Sequence, residues 1–403
     1  MIRALIAAGL ALAPLGAAAF DTEARAAYVR DLTTDTVLMD LNADDPLPPA
    51  SMSKLMTLYM LFDALRDGRV TMEDTFGVSA RAAAMGGSSM FLTERDRPTV
   101  EELIRGISVQ SGNDATVVVA EGLAGTEAAF ARQMTEVGRE MGMTNSVFVN
   151  ASGWPHPDHR MSLRDLGILA EALITEFPEY YPYLGETRFE YDGRVPSNHN
   201  NRNPLLYLDI GADGLKTGHT EEAGYGLVGS AQQGDRRVVF VISGLDTDAA
   251  RADESERLVN WAFRQFVERD LIEGGTVVTE APIWLGDRET VPLIVREDVT
   301  LLVPALTADD VTAEAVFSSP LVMNDADGEP VDWTQPVGQL LISRDELGDH
   351  VVPLYAQETP VAAGPAGRIT AAARLLAADL IGRTGLMDVS PAEPEVEDAA
   401  PEG

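Results

Sequence analysis

Strand-like runs sit at both ends of a 220-residue stretch, and the sequence between them has helical spacing. This layout constrains the fold more than any single motif. Ala26 to Asp31 and Val37 to Leu41 read as two strands joined by a turn at Thr33-Thr34-Asp35. Asp213 to Thr217, Tyr225 to Ala231 and Arg237 to Ser243 read as three more, the last two linked at Gln233-Gly234-Asp235 as in a hairpin. Between them, Ser51 to Arg66 places Leu55, Leu58, Tyr59, Leu61, Phe62 and Leu65 at helical intervals. Thr99-Val100-Glu101-Glu102 is a capping-box pattern opening a helix to about Ser108. Asp114 to Leu123, Thr126 to Met141 and Ser162 to Thr175 are further helices, and Ser146 to Asn150 reads as a short strand. Asp248 to Glu268 has the pattern of a long amphipathic helix. Strands at both ends with helices between predict one sheet packed by helices, an α+β layout.

The pattern changes after Arg269. Residues 273 to 362 read as short strands, among them Thr276 to Thr279, Val299 to Val303 and Gly338 to Ser343. Gly364, Pro365 and Gly367 break this region from a helix predicted over Ile369 to Ile381, and the tail beyond Met387 carries acids and prolines but no bases. At the other end, Arg3, an apolar run from Leu5 to Leu15 and Ala17-Ala18-Ala19 form a leader with Phe20 as the mature start. The run is too short to span a membrane. The expected organisation is a signal peptide over 1–19, a catalytic domain over 20–272, a small all-β domain over 273–363, an amphipathic helix over 364–387 and an acidic tail over 388–403.

A formal charge of −34 and a pI near 4.3 argue against a nucleic-acid partner and against simple attraction to an anionic membrane. No cysteine is present, so neither a disulfide framework nor a thiolate metal site is available.

Among 30 basic side chains only Lys54 and Lys216 are lysines. Arginine is effectively never deprotonated, whereas a desolvated lysine can lose its proton and serve as a base. Lys54 follows Ser51 by three residues, so a helix places both side chains on one face. That pairs a nucleophilic hydroxyl with a proton acceptor, without histidine or aspartate. A base working near neutrality must have its ammonium disfavoured by roughly 3 to 5 kcal/mol relative to a free lysine. Burial supplies this, and so does a second cation, for which Lys216 is the candidate. No metal or other cofactor is required. His156 and His159 lie three apart between prolines and read as loop histidines rather than ligands.

Ser-x-x-Lys, Ser-Gly-Asn and Lys-Thr-Gly are each weak signals; their order and separation together are specific. Pro49-Ala50-Ser51-Met52-Ser53-Lys54-Leu55-Met56-Thr57, Ser111-Gly112-Asn113-Asp114-Ala115 and Asp213-Gly214-Leu215-Lys216-Thr217-Gly218-His219-Thr220 resemble the low-molecular-weight penicillin-binding proteins. The subgroup they resemble is the D-alanyl-D-alanine carboxypeptidases of peptidase family S11. Asn150-Ala151-Ser152-Gly153, Asn201-Arg202-Asn203-Pro204-Leu205-Leu206 and the loop Gly86 to Leu92 extend the similarity, which runs from Ala26 to near residue 360.

The resemblance implies a serine β-lactamase-like sheet packed by helices, followed by a small all-β domain. It implies that Ser51 is acylated, that Lys54 accepts its proton, and that Ser111 relays a proton to the leaving group. Asn113 would orient the substrate peptide. Lys216, Thr217 and Gly218 would bind near the terminal carboxylate, with Arg202 as a further carboxylate candidate. His219 is either a neighbour of the site or an exposed edge-strand histidine. Backbone N–H groups of Ser51 and His219 would form the oxyanion hole. The implied substrate is a peptidoglycan stem pentapeptide, and β-lactam antibiotics would acylate the same serine.

Alternatives are a serine β-lactamase and a catalytically silent wall-binding scaffold; endopeptidase action on D-Ala cross-links breaks the same kind of bond. No Glu-x-x-Leu-Asn follows Ser111, as class A β-lactamases would require. The resemblance also implies a peripheral inner-membrane contact through the C-terminal helix. Here that helix is alanine-rich and lacks aromatics, so it departs from what an interfacial helix needs.

Overall fold

The structure is a computed structural model that describes residues 20–194, 199–306, 308, 311–324, 329–344, 347–367 and 369. The expected leader, the helix beyond Ile369 and the acidic tail lie outside these residues. The described residues form two compact units that divide at Arg269/Asp270, with a short stretch from Leu302 belonging again to the first.

In the first unit, β1 (Ala26–Asp31) and β2 (Thr36–Leu41) are followed by a 3-10 turn at Ala50–Ser53 that runs directly into α1 (Lys54–Arg66). Then come α2 (Ala80–Ala83), α3 (Val100–Ser108), α4 (Asn113–Ala124), α5 (Glu127–Glu140) and α6 (Leu163–Thr175). The chain returns to the sheet in β3 (Ala212–Thr220), β4 (Gly224–Gln233) and β5 (Arg236–Leu245), and finishes with α7 (Asp248–Arg264). The sheet order is β2-β1-β5-β4-β3, so β1 pairs beside β5 from the far end of the stretch, with Ala26 opposite Ser243. The expected single sheet is present, and β3 forms one of its edges.

Alternation along β5 explains the layering. Val239 and Val241 point into a core shared with α1, α4 and α6, while Val238, Phe240 and Ile242 point to the opposite core under α7. Helix α1 is buried on nearly every face from Leu55 to Phe62, which fits a helix apolar all round. Truncating a fully buried side chain such as Phe62 costs about 3–5 kcal/mol. The capping box at α3 forms as predicted, with Glu102 N–H donating to Thr99 Oγ1 at 3.2 Å and Thr99 N–H to Glu102 Oε2 at 2.9 Å.

Two expectations are corrected. Ser146 to Asn150 is not a strand and makes only an isolated bridge between Val147 and Arg160. Side chains take its hydrogen bonds instead: Ser146 Oγ donates to Asp165 at 2.7 Å, and Phe148 N–H donates to Thr135 Oγ1 at 3.0 Å. Helix α7 stops at Arg264 rather than Glu268, because Phe266–Ile272 is drawn into a strand, β6.

The second unit is all-β, as expected. It continues with β7 (Val277–Trp284), β8 (Thr290–Ile294), β9 (Val299–Pro304), β10 (Thr312–Phe317), β11 (Leu321–Val322), β12 (Gly338–Arg344) and β13 (Gly348–Ala356). Six of these form a sheet ordered β10-β12-β13-β8-β7-β11 over a core that includes Ala281, Leu293, Ile342 and Leu354. No described helix is long and apolar enough to cross a membrane.

Candidate active site

Ser51 lies in the 3-10 turn ahead of α1, not in the α-helix itself. Three residues per turn eclipses positions i and i+3, so Lys54 falls directly over Ser51. Lys54 Nζ is 2.8 Å from Ser51 Oγ and donates to the Ser152 carbonyl at 2.6 Å. Lys54 is fully buried. Burial above all, helped by the positive charge of Arg202 and opposed by Asp114, brings its pKa down from 10.5 to about 7. A large fraction of the amine is therefore uncharged at neutral pH and can take the Ser51 proton.

The Ser152 carbonyl reaches Lys54 because the next residue is glycine. Gly153 has φ +76°, and a Cβ there would sit 1.7 Å from the Ala50 oxygen. Asn150 Oδ1 accepts the N–H groups of Ser152, Gly153 and Trp154 at 3.1, 2.9 and 3.0 Å, which ties the turn together.

Ser111 sits between α3 and α4, and Asn113 is the first residue of α4. Ser111 holds a left-handed φ of +58°, and its buried Oγ has no hydrogen-bond partner among the described residues. A buried hydroxyl without a partner is costly and is retained where it serves a ligand or a reaction. Asn113 donates from Nδ2 to the Gly86 carbonyl at 2.8 Å, and its N–H donates to the Ser88 carbonyl at 2.8 Å. Asp114 then fastens the rest of that loop. Its carboxylate accepts Ser89 Oγ at 2.7 Å, Met90 N–H at 2.9 Å and Leu92 N–H at 3.0 Å.

Edge strand β3 brings Lys216, Thr217, Gly218 and His219 to the nucleophile turn. A Cβ on Gly218 would lie 3.0 Å from Met52 Cγ and 3.0 Å from the Pro49 oxygen, so only glycine lets strand and turn approach this closely. Lys216 is buried, with Nζ donating to the Thr217 carbonyl at 3.1 Å. Burial, and then the charges of Lys54, Arg202 and Arg251, hold its pKa well below the lysine range. Arg202 donates from Nη2 to Ser88 Oγ at 2.9 Å and to the Gln110 carbonyl at 3.2 Å, which places it by the Gly86–Leu92 loop.

The expected pair of cations face one another: the charge of Lys54 lowers the Lys216 pKa, and Arg202 adds to the depression of both. His219 is exposed on the edge strand and stacks on Tyr225 with ring centroids 3.9 Å apart. His159, read as a loop histidine, is buried with Nε2 2.9 Å from Ser53 Oγ; burial is the main cause of its low pKa of about 4. Among the described residues no three acidic, histidine or cysteine side chains converge as metal ligands.

Sequence reading missed the roles of Ser152 and Asp114, although both lie inside motifs it singled out. Ser152 acts through its carbonyl, which residue type does not reveal. The signal for Asp114 is its place beside Asn113 at a helix start, where a carboxylate accepts N–H groups readily.

The chain matches known proteins along both units. Residues 13–247 match the family described as D-alanyl-D-alanine carboxypeptidase, peptidase S11, and residues 266–361 match the penicillin-binding protein 5 C-terminal domain. The chain is 34% identical over 355 residues to D-alanyl-D-alanine carboxypeptidase DacC of Escherichia coli (strain K12), covering 86% of each. The solved structure of penicillin binding protein 5 from Haemophilus influenzae superimposes with a TM-score of 0.69 at 30% identity, over 84% of this chain and 98% of that one. Penicillin-Binding Protein D2 from Listeria monocytogenes, solved in the ampicillin bound form, is similar at TM-score 0.55 and 28% identity, over 60% of this chain and 98% of that one.

Proposed function

The chain belongs to the D-alanyl-D-alanine carboxypeptidases of peptidase family S11, and from this we propose that it removes the terminal D-alanine of peptidoglycan stem pentapeptides through an acyl-enzyme on Ser51. The observation that carries the assignment to these residues is the 2.8 Å contact between Ser51 Oγ and a fully buried Lys54 amine.

Ser51 Oγ attacks the carbonyl carbon of the penultimate D-alanine while Lys54 Nζ takes the hydroxyl proton. The oxyanion forms facing the backbone N–H groups of Ser51 and His219, and one such donor supplies about 2.7–4 kcal/mol of transition-state stabilisation. The C–N bond then breaks, and the proton passes from Lys54 through Ser111 Oγ to the departing amine. Water attacks the ester while Lys54 takes its proton, the bond between the acyl carbon and Ser51 Oγ breaks, and Lys54 returns the proton to Ser51 Oγ. Asn113 orients the acyl portion of the peptide, as its anchorage between Gly86 and Ser88 supports. Lys216, Thr217, Gly218 and Arg202 receive the terminal carboxylate, a role that the place of the first three on β3 beside the nucleophile turn supports.

β-Lactams acylate Ser51 in the same way. In vivo the protein acts after export to the periplasm, released from the leader over residues 1–19, with the segment 364–387 as a peripheral contact on the inner membrane. Flotation of the full chain against one ending at residue 363 tests that contact; equal partitioning removes it.

The function is tested by mass spectrometry of a stem pentapeptide incubated with the mature protein. Loss of one alanine and labelling of Ser51 by fluorescent penicillin, abolished in Ser51→Ala, are expected. Rapid penicillin turnover without release of D-alanine would instead make the protein a β-lactamase. Absence of both labelling and turnover would make it a scaffold.

A further inference from the structure

Trp154 is 45% exposed, a large apolar side chain at the surface that its own fold buries only in part. Its main chain is nevertheless fixed. Trp154 N–H donates to Asn150 Oδ1 at 3.0 Å and to Ser152 Oγ at 3.2 Å, and its carbonyl accepts Asn150 Nδ2 at 2.9 Å. The two residues before it touch the general base and the nucleophile turn: the Ser152 carbonyl holds Lys54 Nζ, and Gly153 lies against the Ala50 carbonyl.

The far edge of the indole rests on the backbone of Gly86 and Gly87. A Cβ built on Gly87 would be 3.2 Å from Trp154 Cζ3 and 2.9 Å from Asn113 Nδ2, and one on Gly86 would be 3.6 Å from Trp154 Cη2. Indole, bare glycine backbone and the Asn113 amide therefore meet at one point. No ring contact, cation contact or hydrogen bond engages the indole among the described residues, and nearly half of the side chain is exposed.

We propose that Trp154 is a specificity-determining residue for the acyl half of the substrate. Its indole forms a platform on which an extended apolar or aryl group, joined by an amide to the reacting residue, lies on the Asn113 side of Ser51. The carboxylate side lies with Lys216 and Thr217 on β3. Such a platform recognises the upstream part of a stem peptide and the acylamino side chain of a penicillin through the same contact. Aromatic side chains suit this role because they offer a large rigid surface with few torsions to fix. The inference rests on the acyl-enzyme reading above, and its test is separable from that reading.

Acylation rates of the mature wild type, Trp154→Ala and Trp154→Phe are measured with benzylpenicillin and with 6-aminopenicillanic acid, which lacks the acyl group. Both compounds share the reacting ring and the carboxylate. The expected result is that Trp154→Ala loses about 5- to 10-fold more with benzylpenicillin than with 6-aminopenicillanic acid. Trp154→Phe, which keeps an aromatic face, recovers most of the difference. Equal loss with both compounds would overturn the proposal and leave the indole as a prop for the Gly86–Gly87 backbone; so would no loss with either. Failure of the wild type to acylate at all would overturn the acyl-enzyme reading first.

Discussion

Lys54 Nζ donates to the main-chain oxygen of Ser152 at 2.6 Å, and that oxygen belongs to a turn outside the helix that carries the lysine. A neutral amine has two hydrogens and one lone pair. With one hydrogen committed to Ser152, rotation about the terminal bond aims the lone pair at Ser51 Oγ, 2.8 Å away. The Ser152 carbonyl thus fixes the direction of proton transfer, while burial fixes its pH range.

That range gives the first prediction. The reacting form of Lys54 is the uncharged one, and its pKa stands at about 7. The second-order rate of penicillin acylation will therefore rise about tenfold per pH unit below 7 and level off above it. Lys54→Arg, which cannot lose its proton, will acylate about 10²- to 10⁴-fold more slowly at every pH. Rapid-mixing measurements from pH 5 to 9 check both. An arginine variant reacting at the normal rate would remove the general base from the mechanism.

Arg202 contributes to the same titration from across the site. Its positive charge disfavours a second cation and so lowers the Lys54 pKa. Removing it in Arg202→Ala lets that pKa rise, so the midpoint of the acylation profile moves to higher pH. KM for a pentapeptide should rise as well, because a guanidinium for the terminal carboxylate is lost. A residue that bound substrate without facing Lys54 would change KM and leave the midpoint in place.

A buried neutral lysine also weakens the fold. Depression of the Lys54 pKa from 10.5 to about 7 corresponds to roughly 5 kcal/mol lost at pH 7. In Lys54→Met this cost vanishes, while the Ser152 carbonyl loses its donor, which costs about 1–3 kcal/mol. The variant should be inactive yet more stable by about 2–4 kcal/mol at pH 7. The sign with pH follows from linkage. Between pH 7 and 10.5 the unfolded wild type holds a proton that the folded one lacks, so wild-type stability rises with pH. The advantage of Lys54→Met should shrink by about 1.4 kcal/mol per unit and be gone near pH 9. Urea denaturation at pH 7 and pH 9 measures it, and a constant difference would contradict the linkage.

Asp114 is predicted to act through the loop it fastens. In Asp114→Ala the Met90 and Leu92 N–H groups lose a charged acceptor in a buried setting. The loss should be about 3 kcal/mol of stability. Activity should fall further than stability explains, since Asn113 and Arg202 both bond to this loop. Melting curves set beside kcat and KM below the melting transition separate the two effects.

Much of this site was readable because local chemistry specified it. The capping box at Thr99 and Glu102, the hairpin at Gly234 and the buried face of α1 each follow from a few adjacent residues. The Ser51–Lys54 pair follows from spacing alone, and a 3-10 turn preserves it as well as an α-helix would. What escaped reading depends on distant partners or on main-chain atoms. Phe266 to Glu268 continues the amphipathic pattern of α7, and only pairing with β9 draws these residues into a strand. Ser146 to Asn150 has strand-like composition, but Asp165 and Thr135 take its hydrogen bonds from elsewhere in the chain. Arg202 acts on Lys54 across about 150 residues of sequence, and its motif names a carboxylate ligand without naming that neighbour.

Gly218 tests how closely the two halves of the site must meet. It carries no functional group, yet a methyl in its place would stand 3.0 Å from Met52 Cγ and from the Pro49 oxygen, and 3.2 Å from Ala50 Cβ. Met52 is a flexible side chain, but Pro49 and Ala50 are parts of the turn that presents Ser51. Gly218→Ala therefore moves β3 away from that turn by a few tenths of an ångström or more. Overpacking of this kind costs about 1–3 kcal/mol. The displacement separates the Ser51 and His219 N–H groups, whose spacing must fit one oxyanion, and misplacement approaching 1 Å costs about 100-fold in rate. The variant should stay folded by circular dichroism, bind substrate with KM changed less than about threefold, and lose about 10- to 100-fold in kcat. A variant with unchanged kcat would show that the strand can withdraw from the turn without disturbing the oxyanion hole, and the assignment of the His219 N–H to that hole would fall.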